Sequence, residues 1–509
     1  MACWILLLSI FFPLLFLLFQ LMRKRSTSFP LNWPILGMLP GILMQVHRVH
    51  DWCTEVLTES PNFTFMFHGP WFSKMHLLFT CDPANINHIL NLNVSNYPKG
   101  ENFKDIFDIL GDGLITTDSE SWKNQRKLAR LSMAKSRFHS AVGSCTLEKM
   151  NNTLLPLLNK MAADNSSPEL KINLQDLIWK FTFDVFCLLI TGVDPGYLGG
   201  NSSVSPFAKA IEEIEHILVI RHTVPVVWWK LQRFFGVGSE KKMADARKVV
   251  DSFVEQLISN QKQDQEQEKD ASATADLLTL YMELIKDEEW MCFRSDKFLR
   301  DSLLTFLAAG QGTVALALSW FFWLVAMNPR VEAKLEEEIK SKRTNDHDHK
   351  EMDELIYLHA ALCEALRLFP SVPLNHKSVL KTDVLPSGHT VCPGTEIIIS
   401  MYALGRMKGI WGEDCMEFKP ERWINYDEKG NYQLRFEASY KFGAFGCGPR
   451  TCVGRGISFI VMKLVASALI YNFHFEVVHG HVVQPNVSVV LGMKNGLMVK
   501  VHKRSSNTG

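Results

Sequence analysis

The run Phe445-Gly446-Cys447-Gly448-Pro449-Arg450-Thr451-Cys452-Val453-Gly454 is too rich in glycine and proline for a helix or a strand, so it must be a loop. Glycines let a backbone approach a flat ligand and aim N–H groups at a sulfur, and this spacing is what a protein needs to hold a heme iron by one thiolate. Such a ligand donates electron density and favours O–O cleavage. Of the two cysteines in the run, only Cys452 has an arginine two residues before it and a glycine two residues after it. The plain alternative is a buried thiol with no chemistry.

Every fixed position of the pattern F-x-x-G-x-R-x-C-x-G is met, and the run resembles the heme-binding signature of the cytochrome P-450 family. The resemblance implies a cytochrome P-450 fold, mainly α with small β-sheets, preceded by one N-terminal transmembrane helix. It also implies heme b (iron protoporphyrin IX) held by Cys452, at once metal ligand and catalytic residue. Electrons would come from NADPH through NADPH–cytochrome P-450 reductase.

With 509 residues, of which 47% are apolar, the chain can bury a large core, and its length alone suggests about two to four domains. Lys and Arg number 54 and so do Asp and Glu, which leaves no global field to attract nucleic acid. The eleven cysteines are odd in number and include no C-x-x-C pair, which speaks against a zinc site or a disulfide framework and for a reducing compartment. Sequons such as Asn62-Phe63-Thr64 arise easily by chance and are read as unglycosylated.

Trp4 to Met22 is apolar apart from Ser9, Pro13 and Gln20, about the length that crosses a bilayer as a helix, and Arg23-Lys24-Arg25 follows it. A cleaved signal would carry its charge before the apolar core. Residues 1–22 are therefore expected to be a membrane anchor, with the basic end and all that follows cytoplasmic. Residues 23–40, basic and then proline-rich, read as a stiff hinge, and 41–509 as the heme-thiolate catalytic domain. The expected location is the endoplasmic reticulum membrane, single-pass, with membrane lipid as a partner.

Helical periodicity runs through 141–162, 205–220, 240–262, 276–286 and 296–327. Short strand signals fall at 64–67, 77–80, 396–400 and 497–502. The polar runs Gln261–Asp270 and Ser341–Lys350 read as solvated loops. No internal repeat is visible.

Glu364 and Arg367 are three apart on an apolar helix and share a face. With Arg422, in Phe418-Lys419-Pro420-Glu421-Arg422-Trp423, they match the family's buried charged triad, to which the resemblance gives a structural role in forming the thiolate pocket. Trp122 and Arg126, one helical turn apart, match its W-x-x-x-R pattern, and with Arg450 and His376 they are the expected cofactor-binding residues that take the heme propionates. Ala309-Gly310-Gln311-Gly312-Thr313 resembles the distal oxygen-binding stretch, with Thr313 as the catalytic proton relay. The family's usual acid is Gly312 here, and its usual second hydroxyl is Val314, so proton delivery is expected to rest on Thr313, Gln311 and water. The bare-helix alternative is that Thr313 bonds a carbonyl one turn back.

The segments Asn96-Tyr97-Pro98-Lys99-Gly100, Phe107-Asp108-Ile109-Leu110-Gly111-Asp112-Gly113, Asp383–His389 and Gly409-Ile410-Trp411-Gly412 resemble the plant fatty-acid and alkane hydroxylase branch. Within it the likeness is to midchain alkane hydroxylases, and to the noroxomaritidine synthases that couple phenol rings. The expected reaction is hydroxylation of a hydrophobic small molecule, a long-chain alkane, fatty acid or related lipid. Its alternative is oxidative phenol coupling in specialised alkaloid metabolism. Phe103, Ile106, Phe107, Leu110, Phe306, Ala309, Val372, Leu374 and Leu497 are the expected substrate pocket. A heme isomerase or dehydratase that inserts no oxygen is the alternative of another class, and the relatives of that type lack a distal threonine.

Overall fold

The computed structural model describes residues 28–73, 75–163, 171–201, 205–266, 276–342, 351–426 and 432–504. The Trp4–Met22 span, the basic cluster after it and the run from Arg343 to Lys350 lie outside them.

Helices dominate. Those that carry the site are α1 (Val49–Glu59), α2 (Gly100–Ile106), α3 (Ser119–Met133), α4 (Leu174–Thr191), α5 (Ser205–Thr223), α6 (Val226–Phe235), α7 (Gly238–Glu266), α8 (Asp296–Ala326), α9 (Ile356–Leu368) and α10 (Arg455–Asn472). Strands β1 (Thr64–His68), β2 (His76–Thr80), β4 (Leu374–Ser378) and β5 (Thr395–Ser400) form one sheet in the order β1-β2-β5-β4. Strands β3 (Ile172–Asn173), β6 (Phe473–Val477) and β7 (Met498–Lys503) form another, in the order β6-β7-β3. In the first sheet β2 pairs in parallel with β5, so residues from both halves of the chain complete one layer.

The longest element is α8, about 46 Å at its residue count. Ser295 caps it by accepting from the Phe298 N–H, and Asn328-Pro329 lies just beyond its end. It packs on α4, whose Phe186 ring leaves no room for a side chain at position 310: a Cβ on Gly310 would lie 2.5 Å from that ring. At Gly312 a Cβ would meet nothing within 4 Å. The first glycine is therefore a packing requirement, the second open space.

Strand signals at 64–67, 77–80, 396–400 and 497–502 fall on β1, β2, β5 and β7 within two residues. The polar run from Gln261 is corrected in part: α7 continues through Glu266, and Gln261 is buried, its amide donating to Asp276 and Thr279. Gln, Lys and Glu are strong helix formers and extend a helix without an apolar stripe. Periodicity misses α4 and α10 for the opposite reason, since both are buried over most of their length and their apolar residues are not confined to one stripe. Among the described residues α8 and α10 are long and apolar enough to cross a membrane, yet 72% and 67% of their apolar windows are buried within the protein, as in core helices.

Gly312→Ala should raise stability by about 1 kcal/mol by removing a helix-interior glycine. Gly310→Ala should lose about 1–2 kcal/mol, because overpacking against Phe186 outweighs the same gain. Thermal melting of the two variants side by side checks both signs.

Candidate active site

A cavity of about 890 Å³ gathers side chains from α2, α3, α4, α5, α8, β2, β4, β5 and the cysteine loop. That loop turns back through positive φ at Gly446 and Gly448 (76° and 66°), and a Cβ on Gly448 would fall 2.0 Å from the Leu90 carbonyl oxygen. The turn closes with the Cys452 N–H donating to the Phe445 carbonyl at 2.8 Å. Both cysteines of the run line the cavity, but Cys452 is exposed, whereas Cys447 is buried and receives the Ser439 hydroxyl at 3.2 Å. Burial pushes the Cys452 thiol above its ordinary pKa, and the Gly454 N–H and the charges of Arg126 and Arg455 pull the other way. Those donors are what a thiolate there requires.

Beside the sulfur lies a group of cations. The Trp122 indole is a plate between two guanidiniums, with Arg450 4.4 Å and Arg126 5.7 Å from its ring. Arg126 donates to the Thr451 carbonyl at 2.7 Å, and Arg450 donates to the Thr117 carbonyl and to Asp118. Asp118 also accepts from the Lys99 and Gly100 backbone N–H groups at 3.0 and 2.9 Å. Burial, then the Arg450 charge, brings the Lys99 amine down to about 7. The Lys377 amine has no hydrogen-bond partner among the described residues and is buried. Burial and the charges of Lys99 and Arg450 hold its pKa well below the ordinary lysine range.

His376, adjacent to Lys377 on β4, is paired through Nε2 with Glu396 at 2.7 Å, and its Nδ1 has no partner among the described residues. Sequence reasoning named His376 and passed over Lys377, Lys99 and Asp118. A lysine inside a strand flanked by buried residues, and an aspartate just ahead of the Trp122 helix, were the signals available. A cavity holding a thiol, several under-compensated cations and an indole plate fits a flat cofactor that carries carboxylates, as heme does.

Beneath the loop, Glu364 and Arg367 are fully buried and joined by two hydrogen bonds of 2.7 and 2.8 Å. Arg422 reaches Glu364 at 3.3 Å, and the Trp423 indole donates to it at 2.8 Å. Arg367 further donates to the carbonyls of Gly405, Cys415 and Glu417, so the triad ties α9 to the segment that leads into the cysteine loop.

Thr313 lines the cavity with Ala309, and its hydroxyl donates to the Ala309 carbonyl at 2.6 Å. Gln311 is buried and is not among the cavity-lining residues, so it lies off the expected relay. Phe103, Ile106, Phe107, Leu110, Phe306, Ala309, Val372 and Leu374 all line the cavity. Leu497 does not. It is fully buried in the core, where its N–H donates to Asn173, and Val487–Val490 reach the cavity instead. The chain crosses the wall about ten residues earlier than expected and turns into β7.

The Phe107–Gly113 segment is pinned by charge as well as packed, with Ile109 and Leu110 buried in the core. Asp108 holds Arg221, Arg233 and Arg247 at 2.9–3.0 Å, and Arg221 is clamped on Glu240 by two bonds of 2.8 Å while donating to the Ile106 carbonyl. Asp112 takes Lys104 and Lys297, and these partners hold its carboxyl down at about 2. Asp301 accepts the Asp112 N–H at 2.8 Å. Helices α5, α7 and α8 thus fix one cavity wall by charge.

The family model described as Cytochrome P-450 matches residues 28–501. An alkane hydroxylase, MAH1, of Arabidopsis thaliana is 42% identical over 499 residues, covering 97% of this chain and 98% of its own length. Noroxomaritidine synthase 1 of Narcissus pseudonarcissus is also 42% identical, over 502 residues, covering 96% of this chain and 94% of its own. Cytochrome P-450 86B1 of Arabidopsis thaliana is 40% identical over 501 residues.

Arg221→Leu should destabilise the fold by up to about 3–5 kcal/mol, because it leaves the buried Glu240 carboxylate with only the half-exposed Arg233 as partner. Arg233→Ala, whose side chain is 43% exposed, should stay below about 1 kcal/mol. The double change Arg221→Leu with Glu240→Leu should recover most of the loss, as read by thermal melting.

Proposed function

The chain belongs to the cytochrome P-450 family, whose members bind heme and draw NADPH-derived electrons through a reductase, and from that premise we propose that it hydroxylates a long, apolar aliphatic molecule at a membrane. The observation that carries this reading is the cavity itself, about 890 Å³ and walled mainly by Phe, Ile, Leu and Val, with Cys452 opening onto it. Cys452 is the proposed thiolate ligand, with Trp122, Arg126, Arg450, Lys99, Lys377 and His376 as partners of the propionates. Bound heme supplies the reductive activation of dioxygen.

The chain's own residues then have separate tasks. Phe103, Phe107 and Phe306 exclude water and hold the chain of a lipid by contact. Ala309 leaves space beside the Thr313 hydroxyl, and that hydroxyl must leave the Ala309 carbonyl to pass a proton into the cavity. The triad keeps the loop beneath Cys452 in place. No acid stands at position 312, so the Thr313 oxygen carries the protein's part of the relay.

Attachment to the endoplasmic reticulum membrane is part of the same proposal. Beyond the apolar Trp4–Met22 sequence, α6 presents Val227, Trp228, Phe234 and Phe235 to solvent, Phe234 at 82% exposure. The chain just ahead of it, Val224–Val226, lines the cavity, as do Ser73 and Met75 next to the exposed Trp71 and Phe72. An apolar substrate dissolved in lipid would therefore meet the cavity next to these surfaces.

Phenol coupling is the second reading. It is favoured by the equal identity to noroxomaritidine synthase 1 and by the polar Glu215 and His222 in the cavity. Incubation of reductase-supplied microsomes under oxygen-18 gas, with long-chain alkanes and phenolic amines, separates the two. Label in an aliphatic alcohol is the expected result; an unlabelled coupled ring product replaces it with the second reading.

A further inference from the structure

Helix α5 sends Ile211, Ile214, Glu215 and Leu218 into the cavity, with Arg221 and His222 toward the helix end, so among these cavity-facing residues Glu215 is the one carboxylate, set between aliphatic side chains. The segment Val487–Val490 meets it there, and the Ser488 hydroxyl donates to Glu215 Oε2 at 2.9 Å. Among the described residues this is the only hydrogen bond to that carboxylate, and no cation pairs with it. Burial pushes its carboxyl up to about 7, with the Ser488 bond opposing and the Glu212 charge adding to the rise. A carboxylate left this way in an apolar wall destabilises the fold, and neither packing nor a structural ion pair accounts for it. Elsewhere the same helix end shows what a structural pair looks like, in Arg221 clamped on Glu240.

We propose that Glu215, oriented by Ser488, is the polar anchor of the cavity, accepting a hydrogen bond from a hydroxyl or a protonated amine on an otherwise apolar substrate and rejecting a substrate carboxylate. The inference deepens the proposed function, and rests on it, by naming the polar end that the substrate carries. Once ionised, well above pH 7, a carboxylate acceptor with low dielectric around it rewards a donor strongly and repels a like charge, so the comparison of ligands is made there. It favours an aliphatic alcohol over the alkane of the same length, and disfavours the matching fatty acid.

The test is a titration of the heme-loaded protein by the Soret shift, with a long-chain alkane, its secondary alcohol, the fatty acid of equal length and a phenolic amine as probes. Wild type is compared with Glu215→Leu, Glu215→Gln and Ser488→Ala, each first shown to melt as wild type does and to give the same reduced carbon monoxide band. Wild type should bind the alcohol about tenfold more tightly than the alkane, the scale of a net hydrogen bond to a charged group. Glu215→Leu should abolish that ratio, Ser488→Ala should reduce it, and Glu215→Gln should bind the fatty acid better than wild type. An alcohol-to-alkane ratio unchanged in Glu215→Leu overturns the anchor. If wild type binds only the phenolic amine, the aliphatic reading falls. Weakened amine binding in Glu215→Gln then upholds the anchor, and unchanged binding overturns it too. Binding of no probe overturns both.

Discussion

Lys377 carries an amine into the protein interior and meets no acceptor there among the described residues, while the charges of Lys99 and Arg450 act on it, with Asp118 as the carboxylate near all three. Burying charge that is not compensated is among the costliest things a fold can do. The surrounding architecture makes sense as the answer to that cost. The Trp122 plate holds two guanidiniums in place, Asp118 ties Arg450 to the Lys99–Gly100 backbone, and β4 fixes Lys377 beside His376. A cofactor with carboxylates completes the set, so cofactor binding and folding stability are linked here.

The other parts of the site are arranged around that cluster by rigid pins. Glu364 and Arg367 tie α9 to Gly405, Cys415, Glu417 and Arg422 on the chain that leads to the cysteine loop, and the Asp108–Arg221–Glu240 network locks the Phe107–Gly113 wall to α5 and α7. Helix α8 passes between, presenting Ala309 and Thr313. The result is a largely apolar cavity with the Cys452 sulfur, the Thr313 hydroxyl and the Glu215 carboxylate, which no cation pairs among the described residues, at separate points on the wall. That layout suits the position-selective oxidation of a molecule with little polarity of its own.

Local chemistry was readable where the residue type leaves little choice. The Trp122–Arg126 turn and the Glu364–Arg367 pair depend on contacts within a few residues, the glycines mark the Cys452 loop even though Gly448 also abuts the distant Leu90 carbonyl, and eight of the nine expected pocket side chains line the cavity. What escaped depends on distant neighbours. Helices α4 and α10 are buried over most of their length, so their apolar residues are not confined to one stripe and the periodic signal is weak. Leu497 lies beyond a turn that only the β7 pairing defines, so the wall is made by Val487–Val490. Lys377 reads as a surface lysine until β5 and the cation cluster close over it. Gly310 looks like room above an active site, and the structure gives it a nearer reason in the Phe186 ring.

The central claim is that Cys452, the exposed one of the two cysteines lining the cavity, and not the buried Cys447, is the ligand of the cofactor. Reduced carbon monoxide spectra of Cys452→Ser and Cys447→Ser test it directly. The account requires the thiolate-type Soret band to vanish in Cys452→Ser and to persist in Cys447→Ser; a band that survives the first change and is lost in the second would contradict it.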